Sequence, residues 1–224
     1  MELKEFWTLR SKTNWLSMVK NQYGDIMARP QKYTQTQVID SASLLFKTQG
    51  YRATSIDQLL QATKLSRSSL YSGFGNKEAL YLTVIDQVAN QSACLFFDVM
   101  QSSSPEAFIR AFFRSYFADN SAHEPGIGCL LVNTVVELAD TEPELVKYAM
   151  KYLILVEQSL TAYFKQAQQA GQLNNQHDPA ALAKFFMHIK KGLMVSVRHG
   201  TPLDELSDVI ETSLCILKAP SLTE

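Results

Sequence analysis

The sequence predicts an all-α protein, with a small N-terminal three-helix unit followed by a larger C-terminal helical domain. From Thr34 to about Leu217, apolar side chains recur at intervals of three and four residues, the period of one face of an α-helix. The 224 residues include only nine glycines and seven prolines, too few for the dense turns of an all-β fold. No segment shows the polar–apolar alternation of a half-buried strand.

The first unit has the signals of a helix-turn-helix. A helix that ends at Gly50 is followed by two short helices, for which Ser55 and Ser66 are the expected caps, on either side of a turn at residues 63–65. The third helix begins with small polar residues and one arginine, which suit a DNA major groove. Spacing alone leaves a packed helical hairpin as an equal alternative.

Six longer helices are predicted after this unit. They run from Asn76, from Pro105, from Cys129 to Ala139, from Pro143 to near Gly171, from Pro179 to Gly200 and from Pro202 to near Leu217. Prolines in first turns and glycines just beyond last turns are the expected helix boundaries. We therefore divide the chain into a DNA-binding domain at 27–76 and a ligand-binding and dimerisation domain at 77–224.

Charge is distributed unevenly along the chain. Residues 27–85 carry seven basic and three acidic side chains, a net of +4, whereas residues 86–224 carry ten basic and sixteen acidic ones, a net of −6. This asymmetry indicates that only the first part meets a polyanion, although an offset of four charges also arises by chance.

Several function classes lack support in the sequence. The four histidines and three cysteines form no metal-ligand spacing, and no Gly-rich phosphate loop or nucleophile elbow is present. We expect no catalytic site, metal or cofactor. Without a run of about 18 apolar residues, a membrane span is not expected either, and the cytoplasm is the expected location. A helical binding or chaperone-like protein with an apolar pocket is the alternative to a DNA-binding protein.

Residues 1–26 differ from the rest in showing only weak helical spacing. Met27 is followed by a polar, basic arm that leads into the first helix. Either Met27 is the natural start and 1–26 is an extension, or this segment is a helix that packs on the body.

The segments ATSIDQLL (53–60), ATKLSRSSLY (62–71) and FGNKEAL (74–80) resemble the TetR family of bacterial transcriptional regulators. The resemblance rests on motifs over residues 30–85 and on helix layout beyond them, where ALAKFFMHIKKGLMVSVRHG is similar to the penultimate helix of the family. Two positions depart from the family pattern. Lys64 stands where the family usually has glycine, which requires a left-handed lysine or a different turn. Gly73 stands where an aromatic residue or histidine is favoured, so one DNA contact is in doubt.

The resemblance implies a set of DNA-contacting residues. Thr54, Tyr71 and Lys77 are expected at phosphates, and Arg67 at a base edge or a phosphate. The full set is Arg29, Lys32, Thr54, Ser66, Arg67, Ser68, Ser69, Tyr71 and Lys77. The implied partner is double-stranded DNA with a palindromic operator.

The resemblance also implies a homodimer and a small apolar or aromatic effector. The expected effector-binding residues are Phe96, Phe108, Phe112, Tyr116, Asn133, Glu137, Tyr152 and Phe185, with His123 and His188 as further polar candidates. The expected dimer-interface residues are Phe186, Gly192, Leu193, Ser196, Leu206, Ile210 and Leu214, on a helix whose Lys190 and Lys191 are expected to face outward. Cys129 is either a thiol sensor at a helix N-terminus or a small buried residue.

Overall fold

The structure, a computed structural model, describes residues 34–100, 104–121 and 126–218. Within these ranges the chain forms nine α-helices and no strand, so the predicted all-α fold is confirmed. The helices are α1 (Gln35–Gln49), α2 (Ile56–Thr63), α3 (Arg67–Phe74), α4 (Lys77–Val99), α5 (Pro105–Ser121), α6 (Leu130–Leu138), α7 (Pro143–Gln169), α8 (Pro179–His199) and α9 (Leu203–Leu214), followed by a 3-10 turn at Cys215–Leu217. In the described part of the chain, no helix is long and apolar enough to cross a membrane.

Side-chain caps fix the starts of α2, α3 and α4. Ser55 and Gln58 form a reciprocal capping box at α2, Ser66 accepts from the Ser69 N–H at α3, and the Asn76 side chain accepts from the Ala79 N–H at α4. These contacts span three residues, which is why the sequence could predict them.

The turn between α2 and α3 has the first of the two conformations left open by the sequence, a left-handed lysine. Lys64 has φ 56° and ψ 24°, and among the described residues it is the one non-glycine with a positive φ. A left-handed lysine is strained by about 1 kcal/mol relative to glycine. The helix-turn-helix geometry is therefore maintained by the packing of α2 and α3 despite an unfavourable residue.

The unit formed by α1–α3, hereafter the headpiece, shares one continuous core with the remaining helices, hereafter the body. Phe46, Leu59 and Leu70 are buried in the headpiece, and Tyr81 of α4 packs edge-on against Phe46 with ring centroids 4.7 Å apart. The hydroxyls of Tyr81 and Thr134 lie 2.7 Å apart, which ties α4 to α6. Burial raises the pKa of Tyr81 and keeps this hydroxyl neutral. Any tilt of α4 therefore affects both units.

Candidate functional site

The start of α3 presents a small polar surface to solvent. Ser66, Arg67, Ser68 and Ser69 are exposed, whereas Leu70 on the opposite face is completely buried. The Ser66 hydroxyl lies 3.0 Å from that of Ser68 and 2.8 Å from that of Ser69, in addition to its capping role. This surface carries hydroxyl and guanidinium groups suited to base edges and phosphates.

Arg67 is positioned by a residue of the preceding helix. Its Nη2 donates to Oδ1 of Asp57 at 2.5 Å, and both side chains are more than half exposed. A guanidinium has five N–H donors, so this bond leaves most of the donor set for DNA. Asp57 thus orients Arg67 across the helix-turn-helix.

The two predicted phosphate-binding hydroxyls differ in accessibility. Tyr71 is 43% exposed, and it lies one helical turn after Arg67, on the same face of α3. Thr54 is 1% exposed, and its hydroxyl donates to the Gly50 carbonyl at 2.6 Å. The prediction that the Thr54 hydroxyl binds phosphate is wrong for this conformation, because the group is enclosed and already used.

Lys77 has a role that the sequence did not indicate. Its ammonium lies 4.3 Å from the centroid of the Tyr51 ring, a cation–π contact between α4 and the turn after α1. Burial lowers the pKa of Lys77, while Glu137 and Glu142 oppose that shift. A phosphate contact by Lys77 requires the ammonium to divide its interactions between DNA and Tyr51, and it stays a prediction.

Two predicted DNA contacts fall outside the described residues, and the Gly73 position is open. Arg29 and Lys32 lie in the segment before Thr34, of which the structure describes nothing. At Gly73, an added Cβ would meet no atom within 4 Å, so the position has room for the first carbon of a side chain.

A carboxylate of the body binds the turn that follows α1. Glu137 of α6 accepts from the Tyr51 N–H at 3.0 Å and from the Arg52 N–H at 2.7 Å. Gly50 has φ +87°, and a Cβ there would lie 2.5 Å from a Glu137 carboxylate oxygen. The glycine therefore permits both the helix end and this close approach. Glu137 was predicted to contact an effector; the structure corrects this, since its carboxylate faces the headpiece.

An arginine of the body binds the end of α1 itself. Arg198 of α8 donates to the carbonyls of Lys47 at 2.6 Å and Thr48 at 2.8 Å, and to the Gly126 carbonyl at 3.3 Å. A cation at carbonyls that have no helical partner stabilises a helix C-terminus. Sequence reasoning missed Arg198, because about 150 residues separate it from its partners and no local pattern marks it.

Four of the predicted effector residues lie together inside the body. Phe96 is 5.5 Å from Phe108 and 6.0 Å from Phe112 between ring centroids, and Phe112 is 5.2 Å from Tyr116. Tyr163 stacks 3.8 Å from Phe108, and burial raises its pKa to about 12. These rings pack against one another, so an effector would have to enter by displacing some of them.

The other predicted effector residues are directed elsewhere. Tyr152 donates to Asp86, as does Tyr148, and Asn133 donates to the Ile127 carbonyl at 2.9 Å. Phe185 borders an outer groove between α8 and α9. His188 is exposed, with Nδ1 2.7 Å from the Lys184 carbonyl, and His123 lies outside the described residues. For these side chains the predicted grouping around an effector is corrected, because each is oriented by a different helix contact.

Most of the predicted dimer-interface residues belong to the core of the protomer. Five of them are buried within a single chain and cannot reach a partner: Phe186, Leu193, Leu206, Ile210 and Leu214. Gly192 is exposed and Ser196 is half-buried, so these two still fit the prediction. The error arises because both edges of each helix are apolar, and sequence alone does not say which edge faces the protomer.

The outward face of α8 and α9 carries an apolar groove of about 400 Å³. Its lining residues are Phe185, Ile189, Asp208, Val209, Thr212, Ser213 and Ile216. Val209 is 44% exposed, and polar residues, Asp208 and Thr212, lie beside it in the lining.

Neither Cys129 nor the acidic groups indicate a metal site. Cys129 is buried at the start of α6 and is not in a disulfide, and its side chain does not cap the helix. In residues 34–100, 104–121 and 126–218, no three His, Cys, Asp or Glu side chains group as metal ligands would.

A helix-turn-helix headpiece with an exposed polar third helix, set on a larger helical body, defines the class of helix-turn-helix DNA-binding proteins. Comparison with protein families gives the family. The model described as "Bacterial regulatory proteins, tetR family" matches residues 38–84, and "Tetracyclin repressor-like, C-terminal domain" matches residues 105–206. The chain belongs to the TetR family of transcriptional regulators.

Individual relatives extend over most of the chain. The HTH-type transcriptional repressor ComR of Escherichia coli (strain K12) is 27% identical over 191 residues, which cover 83% of this chain and 90% of ComR. A TetR-family regulator of Cytophaga hutchinsonii has a similar structure, with TM-score 0.73, 24% identity and coverage of 81% and 92%. A cysteine mutant of the TetR-family regulator CifR, complexed with 26-bp operator DNA, has TM-score 0.78, 21% identity and coverage of 85% and 100%. The two solved structures support the fold.

Proposed function

We propose that this regulator is a ligand-responsive repressor that binds a palindromic operator as a homodimer and is released by a small apolar effector. Residues 27–76 form the DNA-binding domain, and residues 77–224 bind the effector and the second copy. A bacterial regulator meets its DNA in the cytoplasm, which is therefore the proposed location. ComR is named a repressor, and CifR was solved on operator DNA; both favour this proposal over a helical binding protein without an operator.

The main support for the proposal is that two side chains of the body bind the end of α1 and the turn that follows it. Glu137 binds two N–H groups and Arg198 two carbonyls within six residues of backbone, so the headpiece orientation depends on α6 and α8. In a dimer, the two α3 helices must be about 34–36 Å apart to enter successive major grooves. An effector that moves α6 or α8 changes this spacing. The shift of the population toward the altered state is limited by the difference between the affinities of the effector for the two states.

The groove on α8 and α9 is the proposed contact with the second copy. Two protomers related by a twofold axis would pack α8 and α9 as a four-helix bundle, and its apolar lining would then be covered. Val209→Glu would place an unpaired carboxylate in that bundle and should yield monomers in sedimentation velocity at micromolar concentration. Val136, 70% exposed on α6, provides the control. If Val209→Glu stays dimeric like Val136→Glu, the interface lies elsewhere.

Operator binding is tested with DNA from the promoter of its own gene, by fluorescence anisotropy over a range of salt concentrations. Arg67→Ala should lower affinity for the specific site by about 1–3 kcal/mol and reduce discrimination against other sequences. Tyr71→Phe should weaken binding to all sequences alike, since it is proposed as a phosphate contact. Arg114→Ala, an exposed arginine on α5, should have no effect. Equal losses for Arg67→Ala and Arg114→Ala would contradict the proposed interface.

A further inference from the structure

Lys190 lies inside the body, although the sequence predicted that it faces outward. It is 1% exposed, and its neighbours one turn away on α8, Phe186 and Met194, are also buried. Lys191, the next residue, is half-buried at the surface. The structure thus encloses one cationic side chain among apolar ones.

The ammonium of Lys190 has a ring, not a carboxylate, as its neighbour. Its Nζ lies 4.0 Å from the centroid of Tyr116, and in the described part of the chain no carboxylate oxygen lies within 4.0 Å of it. Burial lowers the pKa of Lys190, but Tyr116 and Cys129 raise it, and the net direction is upward. These two neighbours therefore favour the ammonium form of the buried side chain.

The ring face of Tyr116, together with a hydrogen bond to its side chain, offsets only part of the desolvation penalty of a buried ammonium. Removing a charge from water is compensated fully only when an opposite charge is brought close with good hydrogen-bonding geometry. In this protein, that opposite charge is missing from the described surroundings of Lys190. An anion that enters beside Lys190 would gain a strong interaction in a low-dielectric site.

We propose that Lys190 is the anion-binding residue of the effector site, and that the effector is a monocarboxylate with an apolar body. One buried ammonium is neutralised by one negative charge, whereas a dianion would leave one uncompensated negative charge buried in the site. Tyr116 joins Lys190 to the aromatic cluster, since its ring lies 5.2 Å from that of Phe112, and these rings suit an apolar body. This inference rests on the proposed function, because it specifies the chemistry of the effector.

The position of Lys190 on α8 links the site to the headpiece. Arg198, which binds the end of α1, is eight residues further along the same helix, about 12 Å along its axis. A carboxylate that draws Lys190 away from Tyr116 would shift or rotate α8. Such a shift would strain the bonds from Arg198 to the α1 carbonyls and so alter the headpiece orientation.

The test measures binding of simple acids to the full chain by thermal shift and titration calorimetry. The probes are acetate, butyrate, octanoate and benzoate, each with its neutral amide at the same concentration. We expect one or more of the acids to raise the Tm and to bind about 10- to 100-fold more tightly than its amide, the usual value of a charged hydrogen-bonding partner. Lys190→Met should abolish this difference, whereas Lys191→Met should retain it.

The variants also separate a binding role from a structural one. With no ligand, Lys190→Met should leave the Tm equal to or above that of the wild type, because it removes an unpaired buried charge. A fall in Tm well beyond that of Lys191→Met would make Lys190 a structural residue and overturn the inference. The comparison of acids with amides needs only the wild type, so it tests the preference for a carboxylate independently of how stable Lys190→Met is.

Two outcomes overturn the inference while leaving the proposed function intact. One is a wild type that binds operator DNA but none of the four acids up to about 10 mM. The other is an amide that binds as tightly as its acid. The proposed function fails separately, if the ligand-free protein binds no promoter DNA.

Discussion

Replacing Glu137 with glutamine should weaken the connection between body and headpiece. The carboxylate accepts two backbone N–H groups, at 3.0 and 2.7 Å, and an amide can accept only one of them and turns its NH₂ group toward the other. A hydrogen bond to a charged group contributes about 1.5–3 kcal/mol, and partial exposure of this site favours the lower end. We expect a loss of about 2 kcal/mol in the free energy of unfolding.

Thermal unfolding followed by circular dichroism measures this loss. For a chain of this size, about 2 kcal/mol corresponds to a fall in Tm of about 4–8 °C. Glu144→Gln is the matched control, because Glu144 is 80% exposed and 3.9 Å from Lys147, a surface pair that contributes little. Operator affinity should fall for Glu137→Gln and stay constant for Glu144→Gln. Equal Tm values for the two variants would refute the view that Glu137 holds the headpiece turn.

Three further changes test other contacts. Arg198→Lys should reduce the free energy of unfolding by about 1–2 kcal/mol in urea denaturation, because an ammonium cannot reproduce the guanidinium fork that binds two α1 carbonyls. Unchanged stability would mean that solvent satisfies these carbonyls. Gly73→Ala should raise the free energy of unfolding by about 0.5–1 kcal/mol, since the position is helical and open. A lower free energy of unfolding would indicate a clash of the added methyl group. Arg110 hydrogen-bonds Glu211 and lowers the pKa of that carboxyl. The contribution of this pair to stability is therefore present above the usual glutamate pKa of about 4.3 and is lost as the pH falls through the lowered value. The Tm of Arg110→Met should lie below that of the wild type at neutral pH, and this difference should shrink in acid. A difference independent of pH would contradict the pairing.

The predicted effector residues show where sequence reasoning reached its limit. The aromatic residues of α4 and α5 do lie together, since Phe108, Phe112 and Tyr116 are successive members of one helix face, while their contact with an effector stays a prediction. Glu137 was predicted as a polar group of the same site because the resemblance to the TetR family implied an apolar cavity with a few polar groups. Its partners, Tyr51 and Arg52, are more than 80 residues away in sequence, and no spacing rule relates them.

The sequence by itself determined the helices and the headpiece. Ser55, Ser66 and Asn76 form caps within three residues of themselves, and the turn at Lys64 is fixed by the two short helices that it joins. Such contacts depend on the local backbone, so a pattern of a few residues specifies them.

The tertiary structure alone decided which edge of α8 and α9 is covered. A helix packed on two sides has apolar residues around more than half of its circumference, and the hydrophobic period then no longer distinguishes an inner edge from an outer one. For this reason Leu214 was predicted at a dimer interface but lies in the core, and Lys190 was predicted in solvent but is buried. Which residues a helix buries depends on the neighbours on all its sides, and those neighbours come from distant parts of the chain.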